Sequence, residues 1–253
     1  AAQNCSVTSR SAEALPGETT SPTRVTSPAL MVVSSAADTR FIVHVTNRTD
    51  GPARGYLWSN DPTPPPGGYE PPTQYSYDST GQPITVASTG VGRYQVHLGA
   101  FAQHVGHDWW ARGTLRVTPY GTSAVYCQIL DPRVQPDPAV LQVRCYGPDG
   151  FGVNSRFVLS YTNGVEPVSA TVNNYGAIPV IWAWSSPSGL EPTVTESPSY
   201  LYELTFPKAA TIGGHAFASI MGTPPMYCVI QSWFPVGNDL RIRVRCYGPG
   251  GVA

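Results

Sequence analysis

A cysteine motif occurs twice in the chain and constrains the fold more than any other feature of the sequence. Tyr126-Cys127 followed by Cys145-Tyr146-Gly147-Pro148 returns 101 residues later as Tyr227-Cys228 followed by Cys246-Tyr247-Gly248-Pro249. The two cysteines of each copy are 18 residues apart. Equal spacing in the same local context predicts two structural disulfides, and therefore an oxidising compartment. Cys5 has no counterpart, and no CxxC or Cys/His spacing indicates a zinc site.

A second pair of similar segments extends the duplication upstream. Arg40-Phe41 and Thr46-Asn47 return as Arg156-Phe157 and Thr162-Asn163, here 116 residues later. The larger offset means that the first copy has fifteen extra residues, which we place in 61–72 and around 104–110. We therefore predict a tandem repeat with one unit at 29–150 and the other at 151–253, preceded by a flexible Ser/Thr/Pro-rich leader at 1–28.

Proline and glycine exclude long helices and favour short strands. The chain has 26 prolines and 25 glycines in 253 residues, and they interrupt every stretch before a helical pattern can develop. We predict an all-β fold of two tandem β-sandwich-like units, Ig-like or small-barrel, with negligible helix. Each disulfide should tie the last two strands of its unit, either across a hairpin or between sheets. The expected strands are 40–47, 53–59, 73–78, 93–99, 112–118, 124–130 and 139–146 in the first unit, and 156–163, 168–174, 179–185, 199–206, 214–221, 226–234 and 239–247 in the second.

Several segments around the cysteine motif are similar to those of a known type of protein. They are YLWSNDPTP (56–64), YSYDSTGQPITV (75–86), TGVGRYQVHL (89–98), GTLRVTPYG (113–121), YCQIL (126–130), VRCYGPDG (143–150) and RFVLSYTN (156–163). The chain resembles an uncharacterised tandem-repeat family of secreted bacterial β proteins with a Cys–Cys hairpin in each repeat. The second unit lacks the WSNDPTP and YDSTGQP stretches. The family has no established function, so the resemblance implies secretion and repetition only.

Charge and hydropathy exclude two classes of partner. With 15 basic and 16 acidic residues the net charge is −1, which gives no whole-molecule field to attract nucleic acid. No apolar run approaches the roughly 20 residues that span a bilayer, so membrane insertion is not expected. The first residues, Ala1-Ala2-Gln3-Asn4, suit the product of a cleaved secretory signal. We expect a secreted, extracellular protein.

Aromatic side chains are concentrated in stretches that only the first unit has. The flat face of an aromatic ring stacks on the C–H face of a sugar, whereas large aromatic residues also fill β-sandwich cores. We expect these aromatic residues to bind a polysaccharide or a cell-surface glycan. They are Trp58, Tyr69, Tyr75, Tyr77, Trp109 and Trp110.

Titratable side chains in the first unit suggest two further kinds of site. His104, His107 and Asp108 lie in one loop and could hold a divalent metal, the only cofactor we consider; an ordinary surface loop is the alternative. Asp61, Glu70, Asp78 and Asp108 could supply a glycosidase pair, but Asp61 and Asp78 also fit turns.

Three functions remain open at this point. The first is a secreted binding or cell-surface interaction protein that binds glycans through the aromatic loops of the first unit. The second is an extracellular polysaccharide hydrolase or lyase, with its site in the first unit or between the units, because the first unit alone has His97 and the histidines of the metal loop. The third is a structural or inhibitory protein that contacts other proteins through the Pro-rich run at 61–72. The chain contains no G-x-S-x-G, P-loop, H-E-x-x-H or G-x-G-x-x-G motif.

Overall fold

The described part of the chain is built almost entirely from antiparallel β-strands. A computed structural model describes residues 53–102, 113–130, 140–163, 168–173, 179–198, 200–210, 216–222 and 224–251. The predicted leader at 1–28, the predicted strand at 40–47 and the loop at 104–110 lie outside these residues. The strands are β1 (Arg54–Ser59), β2 (Tyr77–Asp78), β3 (Thr85–Gly90), β4 (Arg93–His97), β5 (Gly113–Tyr120), β6 (Tyr126–Ile129), β7 (Val140–Tyr146), β8 (Arg156–Asn163), β9 (Ser169–Asn173), β10 (Val180–Ser185), β11 (Thr193–Ser197), β12 (Leu201–Phe206), β13 (Tyr227–Val236) and β14 (Asp239–Tyr247).

Helix is confined, in the described residues, to one α-helical turn and two 3-10 turns. The α-helical turn, α1, spans Gly99–Ala102, and the 3-10 turns span Thr73–Tyr75 and Pro249–Gly251. The prediction of an all-β fold with negligible helix is confirmed.

Two four-stranded sheets share one core and form what we name the first sandwich. Their strand orders are β2-β1-β8-β5 and β3-β4-β7-β6. Leu57, Leu159 and Phe157 of the first sheet are buried with Val96 and Val143 of the second. The rings of Tyr94 and Phe157 contact each other from the two sheets with their centroids 5.1 Å apart. Alternation of apolar and polar residues along each strand produces this arrangement, because successive side chains point to opposite faces.

The strand β8 lies beyond the predicted boundary between residues 150 and 151, yet it belongs to the first sandwich. It pairs along its whole length with β5 and over six residues with β1, so it is a central strand of that sheet. Because its sequence is similar to that of residues 40–47, we expected it to be the first strand of the second unit. The first sandwich therefore contains a strand taken from the start of the predicted second unit.

A second pair of sheets forms what we name the second sandwich. The larger sheet has the order β11-β12-β14-β13, and the described part of the smaller sheet has the order β10-β9. Leu204, Phe206 and Leu240 of the larger sheet are buried, and Ala170 and Val172 of β9 pack against them. The larger sheet has the same order, relative to its disulfide, as β3-β4-β7-β6 in the first sandwich.

Both predicted disulfides are formed, and each lies across a hairpin rather than between sheets. Cys127 and Cys145 are directly opposite each other on β6 and β7, with 4.0 Å between their Cα atoms. Cys228 and Cys246 are opposite each other on β13 and β14, also with 4.0 Å between their Cα atoms. The alternative that the sequence left open is thereby decided.

The edge strands of the two disulfide sheets meet at a contact that we name the joint. The side chain of Gln128 is fully buried there: its amide donates to the carbonyl oxygens of Gly222 (2.7 Å) and Pro224 (2.9 Å), and its oxygen accepts from the Met226 N–H (3.2 Å). The Gly250 N–H also donates to the Pro148 carbonyl at 2.8 Å. The two sandwiches have separate buried cores, and at the joint these hydrogen bonds accompany the packing of Met221 against the first core.

Four tyrosine rings form a continuous row across the joint. Tyr126 stacks on Tyr146 in one hairpin, and Tyr227 stacks on Tyr247 in the other. The rings of Tyr126 and Tyr227 complete the row, with centroids 5.3 Å apart. Burial raises the pKa of the Tyr126 hydroxyl, and the electrostatic effect of the neighbouring Tyr146 and Tyr227 raises this pKa further. Each tyrosine flanks a cysteine of the duplicated motif, so the same residues that define the motif form this contact.

Candidate functional site

The outer face of the β2-β1-β8-β5 sheet carries a group of aromatic side chains. Along β1, Gly55, Leu57 and Ser59 are buried, so the alternation directs Tyr56 and Trp58 to the opposite face. Three rings then form a cluster, which we name the aromatic cluster: Trp58, Tyr75 and Tyr120. They come from a strand, a 3-10 turn and the end of a second strand, and the sheet brings them together.

Trp58 lies between the two tyrosines of the aromatic cluster. Its ring makes edge contacts with Tyr75, at a centroid distance of 5.2 Å, and with Tyr120, at 5.3 Å. Trp58 is itself half-buried, whereas Tyr75 is 45% exposed and Tyr120 is 51% exposed. The rings that a ligand can reach are therefore those of the two tyrosines, and Trp58 holds them in place.

The indole N–H of Trp58 has no hydrogen-bond acceptor among the described residues. The nitrogen is inaccessible to solvent in this arrangement. A buried N–H without a partner costs free energy, so the Trp58 indole contributes ring contacts to the cluster rather than a hydrogen bond.

Further polar and aromatic groups lie beside the cluster on the same face. Tyr77 stacks on Tyr56 with 5.8 Å between the ring centroids. Ser160 and Arg116 are in register with Tyr56 on β8 and β5. The guanidinium of Arg116 lies 4.8 Å from the ring centroid of Phe217. The strands β1, β5 and β8 carry no acidic residue, so this face offers hydroxyl and guanidinium donors next to the rings.

Tyr69 lies apart from the aromatic cluster and has a structural role. Its hydroxyl contacts the Ser59 hydroxyl at 3.2 Å, donates to the Asn60 side chain at 3.2 Å and accepts from the Asp61 N–H at 3.3 Å. Its backbone forms a β-bridge with Val86, and its ring packs against the core of the first sandwich. Of the six aromatic residues proposed from the sequence, the structure groups Trp58 with Tyr75 and places Tyr77 on the same sheet. Trp109 and Trp110 lie outside the described residues.

The predicted metal-binding residues also lie outside the part of the chain that the structure describes. These are His104, His107 and Asp108. Among the described residues, no group of three or more His, Cys, Asp or Glu side chains could hold a metal ion.

Of the four carboxylates considered for catalysis, Asp108 lies outside the described residues and two others are engaged in turns. Asp61 accepts from the backbone N–H and the hydroxyl of Thr63. Asp78 is buried and accepts from the backbone N–H and hydroxyl of Thr80, and from the Ala100 N–H in α1. The turn interpretation of both residues is confirmed. Glu70 is exposed, and so is His97 at the end of β4.

Two tyrosines of this face were missed by sequence reasoning. Tyr56 alternates with Leu57 in β1, and Tyr120 lies two and four residues after the outward-facing Thr118 and Arg116 of β5. Alternation along each strand could have placed them on the outer face. That Tyr120 reaches Trp58 depends on β8 lying between β1 and β5, which the local sequence does not contain.

No protein-family model matches the chain, and it matches neither a curated protein nor a solved structure. Within the described residues, no helix has the length and apolar character needed to cross a membrane.

Proposed function

We propose that the protein is a secreted, extracellular glycan-binding protein built from a duplicated β unit, and that it binds a polysaccharide through the aromatic cluster. The observation that carries this proposal is the pair of exposed tyrosine rings held on either side of Trp58. Two rings fixed by their neighbours lose little conformational freedom when a sugar stacks on them, which favours binding. The nearby hydroxyls supply donors and acceptors for sugar hydroxyl groups.

Three features support the remainder of the proposal. The two disulfides are typical of an oxidising, extracellular environment. The two disulfide sheets share one strand order, which supports a duplication. The face around the cluster carries no carboxylate on β1, β5 or β8, and it therefore suits neutral or acidic polysaccharides better than basic ligands.

The proposal is tested by retention of the full chain on a panel of insoluble polysaccharides. The variant is Tyr75→Ala combined with Tyr120→Ala, which removes both exposed rings of the cluster. Phe151→Ala is the matched control, because Phe151 is an aromatic residue that is 75% exposed and lies outside the cluster. We expect wild type and the control to be retained on at least one polysaccharide and the double variant to be released. No retention of wild type on any polysaccharide would reject the proposal.

A further inference from the structure

A pair of arginine side chains lies on the outer face of the β3-β4-β7-β6 sheet. Arg93 of β4 and Arg144 of β7 are directly opposite each other in the register of the two strands. They alternate with the buried Tyr94 on β4 and the buried Val143 and Cys145 on β7, so both arginines point away from the core. Like charges directly opposite each other in a sheet lower its stability, so the pair is unfavourable unless an anion neutralises it.

Neither of these guanidinium groups has a hydrogen-bond or ion-pair partner within the part of the chain that the structure describes. By contrast, Arg241 and Arg243 of the second sandwich share the carboxylate of Glu203, at 3.2 Å and 2.7 Å. The second disulfide sheet therefore neutralises two of its arginines with an acidic side chain. The described residues supply no such carboxylate to Arg93 and Arg144.

The arginine pair is particular to the first sandwich. Arg144 corresponds to Arg245 in the duplicated motif, because each precedes the second cysteine of its copy. The residue opposite Arg245 is Leu201, whereas the residue opposite Arg144 is Arg93. Charged side chains often prevent unwanted pairing at the edge of a sheet, but β4 and β7 are the two central strands of theirs. Neither the duplicated scaffold nor protection of an edge accounts for Arg93.

Both arginines line a cavity of about 240 Å³ at the end of these two strands. The residues that line it include no acidic side chain. Asp149, in the neighbouring turn, is not among them, and its carboxylate accepts from the Phe151 N–H. The other lining residues are Val91, Gly92, Cys145, Tyr146, Phe151 and Gly152.

Backbone hydrogen bonds fix the turns that form the walls of the cavity. The Cys145 N–H donates to the Gly92 carbonyl at 2.8 Å, and the Gly147 N–H donates to the Phe151 carbonyl at 2.9 Å. Two large apolar side chains nevertheless remain open to solvent there, since Phe151 is 75% exposed and Val91 is 64% exposed. A cavity that is already formed loses little conformational freedom when a ligand enters, which favours binding.

We propose that this cavity binds a small organic anion, whose carboxylate or phosphate group contacts Arg93 and Arg144 and whose apolar part packs on Phe151 and Val91. Guanidinium groups form paired N–H···O hydrogen bonds with such oxyanions. The cavity is smaller than those that hold drug-sized ligands, so it suits a small molecule. The site lies on the other sheet from the aromatic cluster and does not depend on glycan binding.

The test is a titration of the isotope-labelled full chain with benzoate and with phenyl phosphate, followed by NMR at low salt. Benzamide, which has the same ring and no charge, is the control ligand. We expect at least one of the anions to bind and to shift the amide signals of Gly92 and Gly152, and benzamide to leave them unchanged. The anion that binds more tightly identifies the group that the arginines prefer. Binding of neither anion would overturn the proposal.

Two arginine variants locate the binding. Arg93→Gln combined with Arg144→Gln should weaken anion binding by about tenfold or more, because both charged donors are lost. Arg156→Gln is the matched control, since Arg156 is an exposed arginine on the other sheet, and it should change the affinity by less than about twofold. Without ligand, Arg93→Gln should melt no lower than wild type, because a like-charge pair is removed. Anion binding by the double variant as tight as that of wild type would overturn the proposal.

A third variant separates this site from the proposed glycan site. Phe151→Ala should weaken the binding of phenyl phosphate and leave the binding of inorganic phosphate unchanged, because only the first ligand has a ring to pack on Phe151. Retention on polysaccharide should not change in this variant. Loss of phenyl phosphate binding with retained polysaccharide binding therefore supports the anion site by itself. Unchanged affinity for phenyl phosphate would contradict the packing of the ligand on Phe151.

Discussion

Tyr161 shows how a single buried hydroxyl affects the stability of the fold. Its side chain is 1% exposed, its ring contacts Phe101 edge-on, and its hydroxyl has no hydrogen-bond partner among the described residues. A Cβ atom at Gly113 would meet the ring at 2.5 Å, so only glycine leaves room for the tyrosine there. Burial raises the pKa of Tyr161 to about 12. The ring of Tyr161 therefore stabilises the fold by filling this part of the core, whereas the burial of its unpaired hydroxyl lowers stability.

Tyr161→Phe should leave the fold as stable as wild type at pH 7, or more stable by about 1 kcal/mol, because an unpaired buried hydroxyl is removed. The folded pKa is raised above its unfolded value near 10, so its contribution to stability is fully present below pH 10 and is lost as the pH rises towards 12. The variant should lose less stability in that window. Urea unfolding at pH 7 and between pH 9.5 and 12 measures both effects.

Wild type serves as the control. Both proteins contain the other tyrosines, so the effect of those residues on the pH dependence of stability cancels when the two proteins are compared. A loss of more than about 1 kcal/mol at pH 7 would mean that the hydroxyl has a partner that stabilises the fold.

At the scale of elements, the turn between β3 and β4 depends on Gly92. Its backbone φ is +64°, its N–H donates to the Asn154 side chain at 2.8 Å, and its carbonyl accepts from the Cys145 N–H at 2.8 Å. A Cβ atom here would collide with the carbonyl oxygen of Cys145 and with the backbone of Val153. These are backbone atoms of neighbouring elements, which cannot move aside as a flexible side chain can.

Gly92→Ala should therefore cost about 3 kcal/mol of unfolding free energy, from the left-handed backbone and the overlap together. Gly237→Ala is the matched control, because Gly237 has a φ of +59° but nothing within 4 Å of the added methyl group. It should cost about 1 kcal/mol, from the backbone conformation alone. Denaturant unfolding measures the difference, and equal costs for the two variants would contradict the role assigned to Gly92.

Strands with clear alternation could be predicted from the sequence, and strands defined by their partners could not. In β14, Leu240, Ile242 and Val244 alternate with arginines, and all three belong to the second core or pack on it. The strands β3 and β11 were not predicted, because TVASTG and TVTES carry few apolar residues and are held by their neighbours β4 and β12.

Two predicted strands differ from the structure for identifiable reasons. The first half of 73–78 is a 3-10 turn, which is followed by the two-residue strand β2. The preceding prolines lack N–H groups, and the Pro72 carbonyl accepts from the Ser76 hydroxyl. In 214–221, the described residues form only the bridge at Met221. Its counterpart β5 is ordered by pairing with β8, so alternation within the segment is not sufficient to make a strand.

The candidate site was only partly predictable because its members meet through non-local pairing. Trp58 and Tyr75 could be proposed from composition, whereas the contact of Trp58 with Tyr120 requires that β8 lie between β1 and β5. Tyr69 belongs to the same stretch of sequence, but its hydroxyl is occupied by residues 59–61. Whether a tyrosine is exposed or anchored depends on contacts that the local sequence does not specify.

At the scale of the whole molecule, Gln128 connects the two sandwiches. It is fully buried and is hydrogen-bonded to three backbone groups of the second sandwich. Replacing it by leucine would fill similar space but leave three backbone groups at a part-buried contact without their side-chain partner. The joint is thus sensitive to one polar side chain, although four tyrosine rings also cross it.

Gln128→Leu should lower the free energy of unfolding by about 3 kcal/mol. Gln142→Leu is the control, since Gln142 is half-buried on the neighbouring strand β7 and should change stability by less than about 1 kcal/mol. Calorimetry of the full chain provides the measurement. If both variants melted as wild type does, the hydrogen bonds of Gln128 would not stabilise the joint.

The central claim, that exposed tyrosine rings beside Trp58 bind a polysaccharide, is tested most directly by affinity. The measurement is a titration of the full chain with a soluble form of the polysaccharide that retained it. Three proteins are compared: wild type, Tyr75→Phe with Tyr120→Phe, and Tyr75→Ala with Tyr120→Ala. Phenylalanine keeps the stacking surface, so its affinity should stay within about threefold of wild type, whereas alanine should weaken binding by about tenfold or more. Binding of the alanine variant as tight as that of wild type would contradict the claim.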